Sequence, residues 1–204
     1  KVAEASKVGA PEPAAPLKVG VSKFKATIKA GGQEIGLEIE SEVKEDAEGW
    51  LVTDTMKSPM GAAKDTAVLD RKSMVSKKRS VQQGPMAIEL AYDGGKVTGT
   101  MKMGGQDKKV DVDAGGPMFM DSAGASAVIA ALPLKNGYSA QFRNFDLMKQ
   151  KPKLLDLKVA GEETVTVPAG TFETWKVEIT SADGGADRQT MWVSKSEPKT
   201  VKMS

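Results

Sequence analysis

A mainly β, antiparallel fold is what this 204-residue sequence predicts, on three observations. Short runs that alternate apolar and polar residues recur along the chain, turn signals separate them at fairly even spacing, and a single segment carries a helical pattern. The length suits one large domain or two small ones and is ample for a sizeable core.

The first 17 residues, KVAEASKVGAPEPAAPL, are rich in Ala and Pro and hold no sustained period of 2 or 3.6. Such a segment reads as a linker or tether, so one folded domain is expected over 18–204. In QEIGLEIESEV, Ile35, Leu37, Ile39 and Val43 fall on one face and Glu34, Glu38, Glu40 and Glu42 on the other, which is a strand with one wet face. Similar runs cover 21–28, 50–56, 86–92, 97–103, 110–113, 154–159, 175–179 and 191–193.

Gly-Gly pairs at 31–32, 94–95, 104–105, 115–116 and 184–185 account for ten of the 21 glycines. Glycine accepts the positive φ of tight hairpin turns, so the doublets argue for sequential hairpins. A parallel sheet would need long helical crossovers, for which the chain has almost no room. Val167-Pro168-Ala169-Gly170 reads as a type I turn with Gly170 left-handed, joining a strand that carries Val165 to one that carries Trp175, Val177 and Ile179. The exception is DSAGASAVIAALPL, a short helix near 122–132 with Asp121 or Ser122 as cap and Pro133 as stop. Its Val128, Ile129 and Leu132 must bury themselves, and the inner face of the sheet is the nearest apolar surface.

Composition excludes several functions. There is neither cysteine nor histidine, which removes disulfides, thiolate zinc and the commonest general base. The 29 basic and 27 acidic residues leave a net charge of +2, too little to draw the chain onto nucleic acid. The longest apolar run, 127–132, is far shorter than the roughly 20 residues of a spanning helix. The start at Lys1 reads as a mature product or a piece of a longer polypeptide.

Reactive motifs fare poorly. No Gly-x-Ser-x-Gly elbow, Walker motif or Gly-x-Gly-x-x-Gly is present, and the paired carboxylates Glu40/Glu42 and Glu162/Glu163 read as solvated strand and turn residues. A Ser-Lys pair is left open by the sequence. DVDAGGPMFMDS has acids at two calcium-loop positions but ends on Ser122 where a Glu is required, and reads as a strand running into a turn. KSMVSKKRS, with Lys72, Lys77, Lys78 and Arg79, reads as an exposed edge strand kept soluble by charge. The 11 methionines, among them Met86, Met118, Met120, Met148 and Met191, suit either an ordinary core or a cavity for apolar ligands.

The stretches VAGEETVTVPAGTFETWKVEI and MWVSKSEPKTVKM, with Pro168-Ala169-Gly170, Phe172, Trp175 and Trp192-Val193-Ser194, resemble the bacterial envelope domain of unknown function numbered 3108. That domain is similar in fold to the lipoprotein carriers LolA and LolB. The resemblance implies an incomplete antiparallel half-barrel of about eleven strands, plugged by helix, with an apolar cavity for acyl chains. It also implies a periplasmic or outer-membrane-associated place in the envelope. The expectation is therefore a non-enzymatic protein, without cofactor or metal, that binds a lipid or acyl chain and touches the membrane peripherally through its tether. The inward candidates are Trp50, Val52, Met101, Met103, Ile129, Leu132, Phe142, Trp175 and Val177. The alternative is a structural or interaction domain with a packed interior, appended to a larger secreted protein such as a zinc peptidase.

Overall fold

The computed structural model describes residues 8–30, 33–59 and 61–204, with backbone alone at 27–30 and 33–34. Eight strands form one meander in chain order: β1 (Gly20–Ala30), β2 (Gln33–Asp46), β3 (Gly49–Ser58), β4 (Gly61–Leu69), β5 (Ser76–Gln83), β6 (Met86–Asp93), β7 (Lys96–Met103) and β8 (Gln106–Asp113). A helix, α1 (Ala125–Ala130), leads to a second sheet built from β9 (Ser139–Asp146), β10 (Lys151–Val167), β11 (Gly170–Ser181), β12 (Arg188–Ser194) and β13 (Thr200–Met203). Its order is β13-β12-β11-β10-β9. Neighbouring strands are antiparallel throughout, as the hairpin signals require, and the sheets do not close into a barrel. Thirteen strands lie among the described residues, against the eleven or so implied by the resemblance.

Register decides which side chains meet. Val52 pairs with Val43 and Ala67 on the first sheet, and Val177 with Val159 and Met191 on the second. These rows enclose a core that also holds Leu69, Phe142, Val128 and Ile129, so α1 is sandwiched between the two inner faces. A second core lies under β5–β8, where Val81, Ile88, Val97, Met101 and Val110 pack with Met118 and Phe145. The sheets are tied where Phe119 N–H donates to Arg143 O at 2.8 Å on β9 and Ser76 N–H donates to Met118 O at 3.0 Å.

Several local expectations change. The helix spans six residues, shorter than 122–132, and its cap is Gly124 at φ +81 with no side-chain cap bond. Asp121 is unavailable as a cap because it bonds elsewhere, as described below, while Gly124 N–H donates to Asp54 Oδ2 at 3.0 Å. β5 is interior, paired on both sides, so the reading of KSMVSKKRS as an edge strand is corrected. Its alternation places Lys78 outside and turns Arg79 inward.

Of the glycine doublets, 94–95 and 104–105 make the β6–β7 and β7–β8 turns, and 184–185 sits in the longer β11–β12 loop. The pair 115–116 carries the chain toward β9 as β8 ends, while 31–32 lies outside the described residues. DVDAGGPMFMDS is a strand running into a turn, closed by Asp113 Oδ1 accepting from Gly115 N–H at 2.9 Å. The Pro168-Ala169 turn is present, with Val167 facing Gly170, but Gly170 has φ +134, far from the left-handed helical value near +57°. Ahead of β1, residues 8–17 lie against the body: Leu17 is buried in the core and Ala14 N–H donates to Ala131 O at 2.8 Å. Residues 1–7 of the expected tether lie outside the described residues.

Candidate functional site

Trp50, Val52, Ile129, Leu132, Phe142 and Val177 belong to the core around α1, with Trp175 half-buried against it. Met101 belongs to the second core and Met103 packs against that one. The structure thus brings seven of the nine candidates together around α1 and leaves two in a separate cluster. Val52, Ile129, Phe142 and Val177 are each 0% exposed, so the side chains beneath the helix touch each other and meet no solvent.

Open space lies at the seam where the free edge of β1 faces the end of the second sheet. There a groove of about 780 Å3 is lined by residues from five places in the sequence. The segment before β1 and β1 itself supply Leu17, Val19, Val21 and Phe24, and β2 supplies Val43. The helical segment supplies Ser126, Ala127 and Ala131, the tip of the β10–β11 hairpin Val167, Ala169 and Phe172, and the chain entering β13 and β13 itself Pro198 and Val201. Val19 and Val21 are more than half exposed, which is unusual for branched apolar side chains at the border of a recess.

Local structure holds this lining in place. Thr200 Oγ1 donates to Ser126 O at 2.8 Å, fixing β13 to the helix. Leu17 anchors the chain that enters β1, and the two-residue turn fixes Val167 and Phe172 at the hairpin tip. Across the mouth, the Lys18 ammonium pairs with the Glu197 carboxylate, whose other oxygen accepts from Lys199 at 3.3 Å. The hydrogen bond from Lys18 and then that from Lys199 hold the Glu197 pKa below its usual value. Lys199 also lies over the Phe172 ring, 5.1 Å from its centre.

A buried polar belt separates the two cores and positions α1. Arg79 forms a two-pronged pair with Asp65, Nε to Oδ1 at 3.1 Å and Nη2 to Oδ2 at 2.7 Å, and its Nη1 donates to Asp121 O. The Asp121 carboxylate accepts from the Ser76 hydroxyl. Burial alone would lower the Arg79 pKa, but the Asp65 bonds and charge outweigh it and hold the value above normal. Burial raises the pKa of Asp54, Asp121 and Tyr92. Asp54 Oδ1, Asp121 Oδ2 and Tyr92 OH make no hydrogen bond within the chain, an uncommon state for buried polar atoms.

The belt gives a signed pH prediction. Asp54 has a folded pKa above its unfolded value of about 3.9, so the folded state holds its proton more tightly. Its contribution to stability is present below the unfolded pKa and is lost as pH rises through the folded pKa. Asp54→Asn keeps an acceptor for Gly124 N–H and removes the charge. The variant is expected to equal or exceed the parent in urea stability at pH 7, and to lose the parent's decline between acid and neutral pH. A variant less stable by more than about 1 kcal/mol at pH 7 would show that the charged form is favoured there.

A second buried guanidinium, Arg143, is 2% exposed on β9 and donates to Val8 O at 3.0 Å. It lies against Gly116, where an added Cβ would sit 2.3 Å from its Nη1. Sequence reasoning singled out neither Arg143 nor Asp121 in these roles. The available signal was an arginine between two phenylalanines in QFRNF, a pattern that buries both faces of a strand.

Among the described residues, no group of three or more His, Cys, Asp or Glu is placed to hold a metal ion, and no helix is long and apolar enough to cross a membrane. No curated protein and no solved structure gives a significant match to this chain. A family model, described as "Protein of unknown function (DUF3108)", matches residues 16–204, from the anchoring segment before β1 through β13. That span contains both sheets, the helix and all of the groove lining except Ala15, and the chain belongs to the DUF3108 family.

Proposed function

We propose that this chain is a non-enzymatic protein of the bacterial envelope, whose two sheets form an incomplete half-barrel of the LolA/LolB kind and whose seam holds an acyl chain or similar apolar ligand. The carrying observation is the groove of about 780 Å3 with its apolar lining from Phe24, Val43, Ala127, Val167 and Phe172. Ligand sites commonly enclose roughly 300–1,000 Å3 and are lined mostly by apolar side chains. Burial at about 25 cal/mol per Å2 lets a chain of methylenes bind there by water exclusion. The ligand lies on the outer flank of α1, because the space beneath the helix is occupied by Ile129, Phe142 and Val177.

That same packing favours a second reading, a structural or interaction module appended to a larger secreted protein. Mass spectrometry of gently extracted protein separates the two, since retained lipid supports carriage. Ala127→Trp is expected to fill the groove from the helix side and to weaken binding of the neutral probe N-phenylnaphthylamine about tenfold. Because Ala127 is half-buried at the groove wall, the urea midpoint should change little. A parent protein that neither retains lipid nor brightens the probe supports the packed module instead.

A further inference from the structure

The groove has a charged end, and the charges do not balance. Lys18 and Lys199 both turn to one carboxylate, Glu197, at the mouth. Lys23 lines the same groove, with its own partner, Glu40, 3.4 Å away. Glu197 is the only acidic residue among the groove-lining residues, against these three lysines. The Lys18–Glu197 pair also joins the segment before β1 to the segment before β13, so it acts as a clasp across the seam. Leu17, Val43, Ala131 and Phe172 line the same groove, and Lys199 covers the Phe172 ring.

We propose, resting on the apolar-groove reading above, that the ligand is an anionic amphiphile whose carboxylate or phosphate head displaces Glu197 from Lys18 and Lys199. Its chain then runs inward along Val43, Ala127 and Phe172. An ammonium pair offered to one carboxylate gains a second anion at little cost, because neither lysine is enclosed and both can reorient. Glu197 is a built-in competitor for the head group, so the clasp is closed when the groove is empty and released when an anionic head group takes its place. Neutral and cationic amphiphiles of the same length gain the apolar contacts but leave the clasp shut.

The test uses the full chain, with dodecanoate, dodecanol and dodecyltrimethylammonium below their micelle concentrations displacing N-phenylnaphthylamine, and dodecyl phosphate as a second anion. Dodecanoate and dodecyl phosphate are expected to bind about fivefold more tightly than dodecanol, with the advantage shrinking as salt is raised. Glu197→Gln should tighten the anions about threefold and leave dodecanol unchanged. Lys18→Gln with Lys199→Gln should erase the anion preference while dodecanol still binds. Equal binding of dodecanoate and dodecanol, or Glu197→Gln without effect on the anions, overturns this inference and leaves the apolar groove standing. Failure of all four amphiphiles to displace the probe overturns both.

Discussion

Arg79→Met is expected to cost about 3–5 kcal/mol of stability at neutral pH, measured by urea denaturation, although it swaps a charged residue for an apolar one of similar length. Arg79 is the cation of the belt, two-pronged to Asp65 and bonded to the backbone oxygen of Asp121. Removing it leaves Asp65 without its partner while Asp54 still repels it, and takes from the buried Asp121 carboxylate the cation that favours its charged form; an uncompensated buried charge is among the costliest defects a fold can carry. The loss has a pH signature. Burial already places the Asp121 pKa above its ordinary value, and losing Arg79 raises it further, so the variant's stability falls as pH rises through that value. The deficit should therefore be smallest in acid and largest at pH 7 to 8. Asp121→Asn in the same chain should restore part of the loss. A deficit below about 1 kcal/mol that does not change with pH would show that the belt contributes no net electrostatic support.

The consequence reaches the groove. Asp121, Gly124 and the helix start are one short connection, held by Ser76, Arg79 and Asp54 from the first sheet. Ser126, Ala127 and Ala131 of that same helical segment line the groove. Loosening the belt should thus lower probe binding by more than the unfolded fraction accounts for.

How much of this was legible depends on which force fixes each element. The strand over Glu34 to Val43 was readable because burial on one face alone imposes period two, and Ile35, Leu37 and Ile39 are half-buried as that pattern demands. The turns at 94–95 and 104–105 were readable because positive φ selects glycine, and Gly94 and Gly104 have φ of +56 and +58. β4 is hard to read because its inward residues ahead of Leu69 are Ala63, Asp65 and Ala67, which carry no strong apolar period. β9 was missed because both of its faces are covered, so Phe142, Arg143 and Phe145 break alternation. β5 resembles an edge in sequence because a lysine-rich run ordinarily is one; a partner on the neighbouring β4, Asp65, explains its inward Arg79. The groove was not readable at all. It is made where residues 15–24 meet 197–201, and none of the nine sequence candidates lines it, because an inward-face rule cannot separate a filled core from a recess.

The sharpest steric expectation concerns Gly99 on β7. Gly99→Ala should cost about 3–5 kcal/mol, and Gly161→Ala on β10 about 1–2 kcal/mol, although the two glycines share nearly the same φ. Gly99 has φ +151 and Gly161 φ +152, so replacing either by alanine meets the same unfavourable φ. They differ in space. A Cβ on Gly99 would lie 1.9 Å from the carbonyl oxygen of Glu89 on β6, whereas one on Gly161 meets nothing within 4 Å. Backbone cannot rotate aside as a side chain can, so β6 and β7 must separate to admit the methyl group. Gly99 pairs with Leu90 and Val110, both in the second core, so any separation opens that core as well. Gly161 follows a register shift in β10, where the ladder already tolerates an irregular residue. The difference between the two losses in urea denaturation isolates the close approach of the strands from the cost of the dihedral angle. Equal losses would mean that β6 and β7 part freely, and that the tight contact at Gly99 does not constrain the sheet.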